Sequence, residues 1–174
     1  MRRARFLSPW KDSHEKPVIY HLVSRVVERR LALALEEKER FRTLMRMMEN
    51  FSGCRVLSYC LMCNHIHILL EVPPQPEGGI SDMDFLKRLS ALYSEAFVAD
   101  VAGQLDAART EGGVAGGSPE RVTEIKERFT YRMHDLGEFM KGLMQRFTQW
   151  FNSRHKRTGT LWEQRFKSVI EGYI

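Results

Sequence analysis

The chain has 174 residues, 43% of them hydrophobic and 28% charged, a globular balance with enough length for one core of moderate size. Its formal net charge of +5 suits a polyanionic partner and equally suits charge carried for solubility, so it selects neither. Three cysteines argue against a disulfide framework, and no run of about 18 apolar residues predicts a membrane-spanning helix. The start, Met1-Arg2-Arg3-Ala4-Arg5, is basic but lacks the apolar stretch of a signal peptide. It reads as a solvated tail, with an arm on a phosphate backbone as the other reading.

Taken in chain order, Tyr20 to Val27 is rich in β-branched residues and predicts a strand. Phe41, Leu44, Met45 and Met48 recur at helical spacing, and Phe51 continues the stripe, which predicts a helix from Glu36 to Phe51 closed by Gly53. Arg55 to Met62 predicts a second strand, Cys63-Asn64 a turn, and His65 to Val72 a returning third strand. Pro73, Pro74 and Pro76 stop it. Asp82 to Phe97 predicts one helix, with Phe85, Leu86, Leu89, Leu92 and Tyr93 as its apolar face. Residues 99 to 118 are rich in Ala and Gly and read as flexible; Ser118-Pro119-Glu120 starts a short helix. Asp135 caps a long helix to Phe151, with Leu136, Met140, Leu143, Phe147 and Trp150 as its stripe. A polar loop, Asn152 to Thr160, leads to a last strand over Leu161 to Glu171. The order predicts an α+β fold, a ferredoxin-like split βαβ antiparallel sheet with a helical and flexible insertion at about 78–132 in a single domain, 1–174.

The sharpest chemical signal is Asn64-His65-Ile66-His67 at the start of the third strand. Residues two apart on a strand share a face, so both imidazoles point one way while Ile66, Ile68, Leu70 and Val72 line the other. Such a pair can hold zinc, manganese or nickel, and can equally sit on a solvated strand face. Two nitrogens do not complete a shell. His21 reads as a core or pocket residue, His134 as a residue leading into the long helix, and His14 as tail. Arg154-His155-Lys156-Arg157 forms a basic loop that can hold phosphates or remain solvated. Cys60 and Cys63 have a C-x2-C spacing, which admits a zinc site with His65 or His67; buried thiols are the plainer reading.

Leu61-Met62-Cys63-Asn64-His65-Ile66-His67-Ile68-Leu69 resembles the signature of IS200-like single-tyrosine transposases, with the closer similarity to the branch associated with repetitive extragenic palindromes. His21-Leu22-Val23-Ser24-Arg25 resembles an earlier part of the family pattern. Phe147 to Asn152, His155, Gly159 to Glu163 and Arg165 to Ser168 resemble a later part. The resemblance implies a ferredoxin-like endonuclease that usually works as a homodimer. In the family the two histidines bind a divalent ion, Mg or Mn, at the scissile phosphate of single-stranded or hairpin DNA. A tyrosine attacks and gives a 5′-phosphotyrosine and a 3′-hydroxyl that can later reverse the step. Carried over, His65 and His67 are the metal ligands, and His155, Lys156, Arg157, Arg165 and Lys167 are DNA contacts. Such a protein is expected in a prokaryotic cytoplasm, nucleoid-associated at most.

Two departures stand out. Cys63 occupies a place where the family usually has proline, which alters the turn more than the metal site. The family's tyrosine lies on a helix after the strand matching Arg165 to Glu171, and the chain is expected to be truncated before that helix. Tyr173 lies nearest the required place but precedes the helix. Tyr59 and Tyr131 read as structural, and Tyr20 and Tyr93 carry no motif. The expectation is therefore a transposase domain without its nucleophile, its enzyme activity open. The alternative is a catalytically inactive remnant that binds single-stranded or hairpin DNA.

Overall fold

The structure, a computed structural model, describes residues 16–29, 31–110 and 117–173. Four strands, β1 (Val18–Arg25), β2 (Arg55–Leu61), β3 (His65–Val72) and β4 (Lys167–Tyr173), form one sheet in the order β2-β3-β1-β4. Every neighbouring pair is antiparallel. Five α-helices and a short 3-10 turn (Val27–Arg29) complete the described fold: α1 (Leu35–Ser52), α2 (Asp82–Ser90), α3 (Glu95–Thr110), α4 (Pro119–Thr130) and α5 (Leu136–Arg154). The architecture is α+β, as expected.

The strands follow from alternation. Val18, Tyr20 and Leu22 of β1 and Ile66, Ile68 and Leu70 of β3 are buried, while the residues between them are mostly half-exposed. The buried faces join the stripes of α1 (Phe41, Leu44, Met45, Met48, Phe51) and α5 (Leu136, Phe139, Met140, Leu143, Phe147, Phe151) in one core. Phe41 meets Phe147 edge-on, ring centroids 5.1 Å apart. The Asp135 carboxylate accepts a hydrogen bond from the Glu138 amide at 2.7 Å and starts α5. Gly53 closes α1 at φ 75, and a side chain there would run into the Arg88 guanidinium.

Helices α2, α3 and α4 pack on one another through Phe85, Leu89, Val101, Leu105, Val122, Ile125 and Phe129. Asp82 ties all three, 2.6 Å from Arg109 and 2.7 Å from Lys126. Burial alone would raise its carboxyl; the two cations outweigh that and hold it below its ordinary value.

Several boundaries differ from the sequence expectation. β1 starts at Val18 and ends at Arg25, because Val26 instead bridges Trp162. The helix expected over Asp82 to Phe97 breaks between Ser90 and Glu95, where the Ser94 carbonyl and hydroxyl start α3. Residues 99–110, expected to be flexible, are helical, since Val101, Leu105 and Ala108 form a buried stripe. Residues 111–116 lie outside the described residues, as do His14 and the basic N-terminus. The last strand begins at Lys167 rather than Leu161, because Leu161, Trp162 and Phe166 all turn into the core instead of alternating. Among the described residues no helix is long and apolar enough to cross a membrane.

Candidate active site

β3 opens with His65, and its alternation places His65 and His67 on the face opposite Ile66 and Ile68, as the sequence predicts. Antiparallel register extends that face across the sheet. Arg25 lies opposite His65, and Val23 lies opposite His67. Cys60 flanks His67 from β2, and Lys167 flanks Val23 from β4. Directly opposed residues share a face. One row of side chains therefore runs Cys60, His67, Val23, Lys167 across four strands.

Both imidazoles are held at the same atom. His65 Nδ1 lies 2.7 Å from Asn64 Oδ1, and His67 Nδ1 lies 2.9 Å from His21 Nε2. An amide oxygen only accepts, so Asn64 keeps the His65 proton on Nδ1 and leaves the Nε2 lone pair to project. The rings of His65 and His67 meet edge-on, centroids 5.2 Å apart. Burial, reinforced by His21, His65 and Arg25, holds His67 below its ordinary imidazole pKa. A neutral imidazole is the form that binds a metal.

These donors fit part of a divalent-ion site. Among the described residues no group of three or more His, Cys, Asp or Glu side chains is placed to hold a metal ion. The histidine pair thus offers two nitrogens, and the remaining positions of any bound ion would have to come from oxygens such as those of a phosphate or water. Imidazole nitrogen suits manganese better than magnesium.

The cysteines divide. Cys54 is buried, and burial pushes its thiol up to about 12. Cys60 and Cys63 are exposed, contrary to the buried-thiol reading, because one sits on the outer strand β2 and the other in the turn that follows. Cys63 Sγ lies 3.8 Å from Lys38 Nζ.

The expected DNA contacts are distributed around one end of the sheet. Lys167 is exposed at the start of β4. Arg165 is exposed too, but it precedes the strand, so the two do not share one side of a regular strand. His155 ends α5 with its ring on Phe151 and its Nε2 2.9 Å from Glu37 Oε1. Arg154 pairs with Glu36 at 3.2 Å. Two basic groups of this loop are therefore engaged by the first turn of α1. Lys156 is exposed at φ 50, and the Arg157 guanidinium lies 5.7 Å from the Phe151 ring centre. Backbone bonds from Val26 to Asn64, Leu33 to Cys63, Val27 to Leu161 and Glu163 to Arg25 bring the loop, the β3 start and the α1 start to the same end of the sheet.

The tyrosines lie elsewhere. Tyr20 is in the core, and Tyr59 lies under Arg46 of α1. Tyr93 packs on Phe97, and Tyr131 is 62% exposed beside Arg132. The Tyr173 backbone pairs with Val18, five residues along β1 from Val23, or about 16 Å of strand.

Residues 15–102, half of the chain, match the family model described as Transposase IS200 like. The chain belongs to the IS200-like transposase family. The matched part of this IS200-like chain contains β1, α1, β2 and β3, and with them His21, His65 and His67. Lys167 and the basic loop lie beyond it. No curated protein matches. A Deinococcus radiodurans R1 crystal structure, provisionally described as a transposase, is 15% identical. The alignment covers 97% of this chain and 85% of that one, with a TM-score of 0.45, a likeness too distant to bear on fold or function.

The site also contains two residues with no role assigned from sequence, although both fall in the stretch His21 to Arg25 that resembles the family. Arg25 and His21 join it from β1. Their spacing, His21-x-Val23-x-Arg25, is the same one-face spacing as His65-x-His67, which is the signal that finds them.

Proposed function

We propose that this chain is a DNA strand-transfer domain of the single-tyrosine type, which cuts and rejoins single-stranded or hairpin DNA. The observation that carries the reading is the His65–His67 pair, each ring held through Nδ1, on the exposed sheet face of an IS200-like chain. His65 and His67 would hold a divalent ion, Mn2+ or Mg2+. When bound, that ion draws charge from the scissile phosphate. Lys167 and Arg25, beside the pair, would hold flanking phosphates, and Lys156, Arg157, Arg165 and the His155 edge would extend the path. A tyrosine oxygen attacks phosphorus, the P–O3′ bond breaks, and the 3′-oxygen leaves as a hydroxyl after taking a proton. The product is a 5′-phosphotyrosine.

In this reading the sheet order β2-β3-β1-β4 is that of a ferredoxin-like split βαβ, and α2 to α4 are an insertion in one IS200-like domain. The branch associated with repetitive extragenic palindromes, a homodimeric working form, and a place with the DNA in a prokaryotic cytoplasm belong to the same reading. The nucleophile is its open position: Tyr173 is the candidate within the chain, and the other four tyrosines lie away from the histidine face.

A second reading, a DNA-binding form without cleavage, is favoured by that same placement of the tyrosines. The test incubates the chain with labelled hairpin DNA and Mn2+, and follows binding by gel shift and covalent adducts on denaturing gels. An adduct that is lost in both His65→Ala and Tyr173→Phe supports strand transfer from this chain. Tight binding with no adduct supports the binding-only reading. No affinity for hairpin DNA sinks both. Lys167→Ala is expected to weaken binding several-fold and to flatten its salt dependence by about one phosphate contact.

A further inference from the structure

The third imidazole of the site has no role in the reading above. His21 sits on β1 opposite Leu69, diagonally across from His67, whose own partner is Val23. Diagonal neighbours are within reach of long side chains. The rings of His21 and His67 stack at 22°, centroids 5.1 Å apart, and His21 Nε2 lies 2.9 Å from His67 Nδ1.

We propose that His21 is a positioning residue for His67: its Nε2 accepts the His67 Nδ1–H, and so fixes the tautomer and tilt that present the His67 Nε2 lone pair to a metal. The inference rests on the metal reading of the histidine pair. Two ring nitrogens at hydrogen-bond distance need one proton between them. If His21 donated, the His67 proton would sit on Nε2 and block the only nitrogen left for a ligand. If His67 donates, Nε2 is bare. The second arrangement repeats what Asn64 does for His65, where the geometry admits one direction only. Both imidazoles are thus anchored at Nδ1 by a neighbour and project Nε2. One anchor comes from the turn before β3 and the other from β1, and they differ in chemistry, an amide and an imidazole, yet they impose the same tautomer. Outer partners of this kind orient metal-binding histidines and raise their basicity.

The role differs from that of a ligand. His21 Nε2 is engaged by His67, and no three-donor group is formed among the described residues. His21 is half-buried between Leu69 and Val169 on the sheet face away from the core cluster, so its replacement leaves the core intact.

The experiment reads the tautomer directly. Long-range 1H–15N correlation spectra of the 15N-labelled, metal-free chain at about pH 8, where imidazoles are neutral, should show His67 protonated at Nδ1 and bare at Nε2. In His21→Leu the Nε2–H form should appear; in His21→Gln, whose amide oxygen can accept, the Nδ1–H form should persist. Mn2+ affinity, read from the free-ion electron spin resonance signal, should fall about tenfold in His21→Leu and recover most of that in His21→Gln. An Nε2–H tautomer in the unaltered chain overturns the proposal. So does a His21→Leu chain with unchanged tautomer and affinity. Spin-echo modulation from three imidazoles on bound Mn2+ would make His21 a ligand and overturn it as well. If Mn2+ fails to bind the unaltered chain, the metal reading falls, and the spectra still decide whether His21 sets the tautomer.

Discussion

At the scale of single residues, histidines do different work according to what reaches them. His134 sits at φ 55 just before α5, with Nδ1 3.2 Å from the Pro73 carbonyl and Nε2 3.1 Å from Arg88 Nη1. The neutral ring donates to Pro73 from Nδ1 and accepts from Arg88 at Nε2. A second proton removes the acceptor and sets two cations together. Burial and then Arg88 hold its pKa below the ordinary value, although the Pro73 carbonyl opposes them. The unfolded chain therefore binds the proton first as pH falls. The contribution is complete above about pH 6.5 and is lost as pH drops through the folded value, at no more than about 1.4 kcal/mol per pH unit for one proton. Urea midpoints should fall in that direction. His134→Asn, which tolerates the left-handed backbone, should flatten the dependence. A slope unchanged in the variant would remove His134 from the account.

His65 and His67 could be placed on one face from sequence, since period two needs nothing but a strand. Spacing sets His21 and Arg25 on one face of β1, but 46 residues separate His21 from His67 and only the sheet order puts that face beside the pair. The exposure of Cys60 and Cys63 is hidden from sequence for a related reason. Composition says thiols prefer burial, but β2 is an edge strand with an exposed outer face.

At the scale of elements, caps and stripes were the reliable signals. Asp135 starts α5 where the sequence places it, and Ser118 with Pro119 starts α4. Asp135→Ala should cost about 1 kcal/mol, since it frees the Glu138 amide and removes a negative charge from the helix start. Thermal unfolding of the variant measures it, and no shift would assign the cap to solvent. The elements whose bounds depart from expectation share a cause. Leu89, Leu92 and Tyr93 continue one stripe through the break between α2 and α3, so periodicity hides it; Ser94-Glu95 carries the start signal that reveals it. Ala and Gly content suggested flexibility for 99–110, but Val101, Leu105 and Ala108 are enough to seat α3 on α4. Small residues pack closely there rather than loosening the chain.

At the scale of the whole molecule, the histidine pair rides on β3, which has a strand on each side, β2 and β1. Its reverse face, with Ile66, Ile68 and Leu70 fully buried, belongs to the core that α1 and α5 close. Backbone hydrogen bonds on both edges of a strand, above a filled core, open only when most of the molecule opens. The spacing of the two imidazoles is therefore as durable as the fold. In hydrogen–deuterium exchange, amides of Ile66 to Leu70 should exchange through global unfolding, with the same denaturant dependence as the circular-dichroism transition. Exchange through a smaller opening would place the site on a separately melting unit. Loss of the site and loss of the protein then become one event. A ligand held at His65 and His67 would act as a clasp on the entire chain, and its release on heating would keep time with the melting of the sheet.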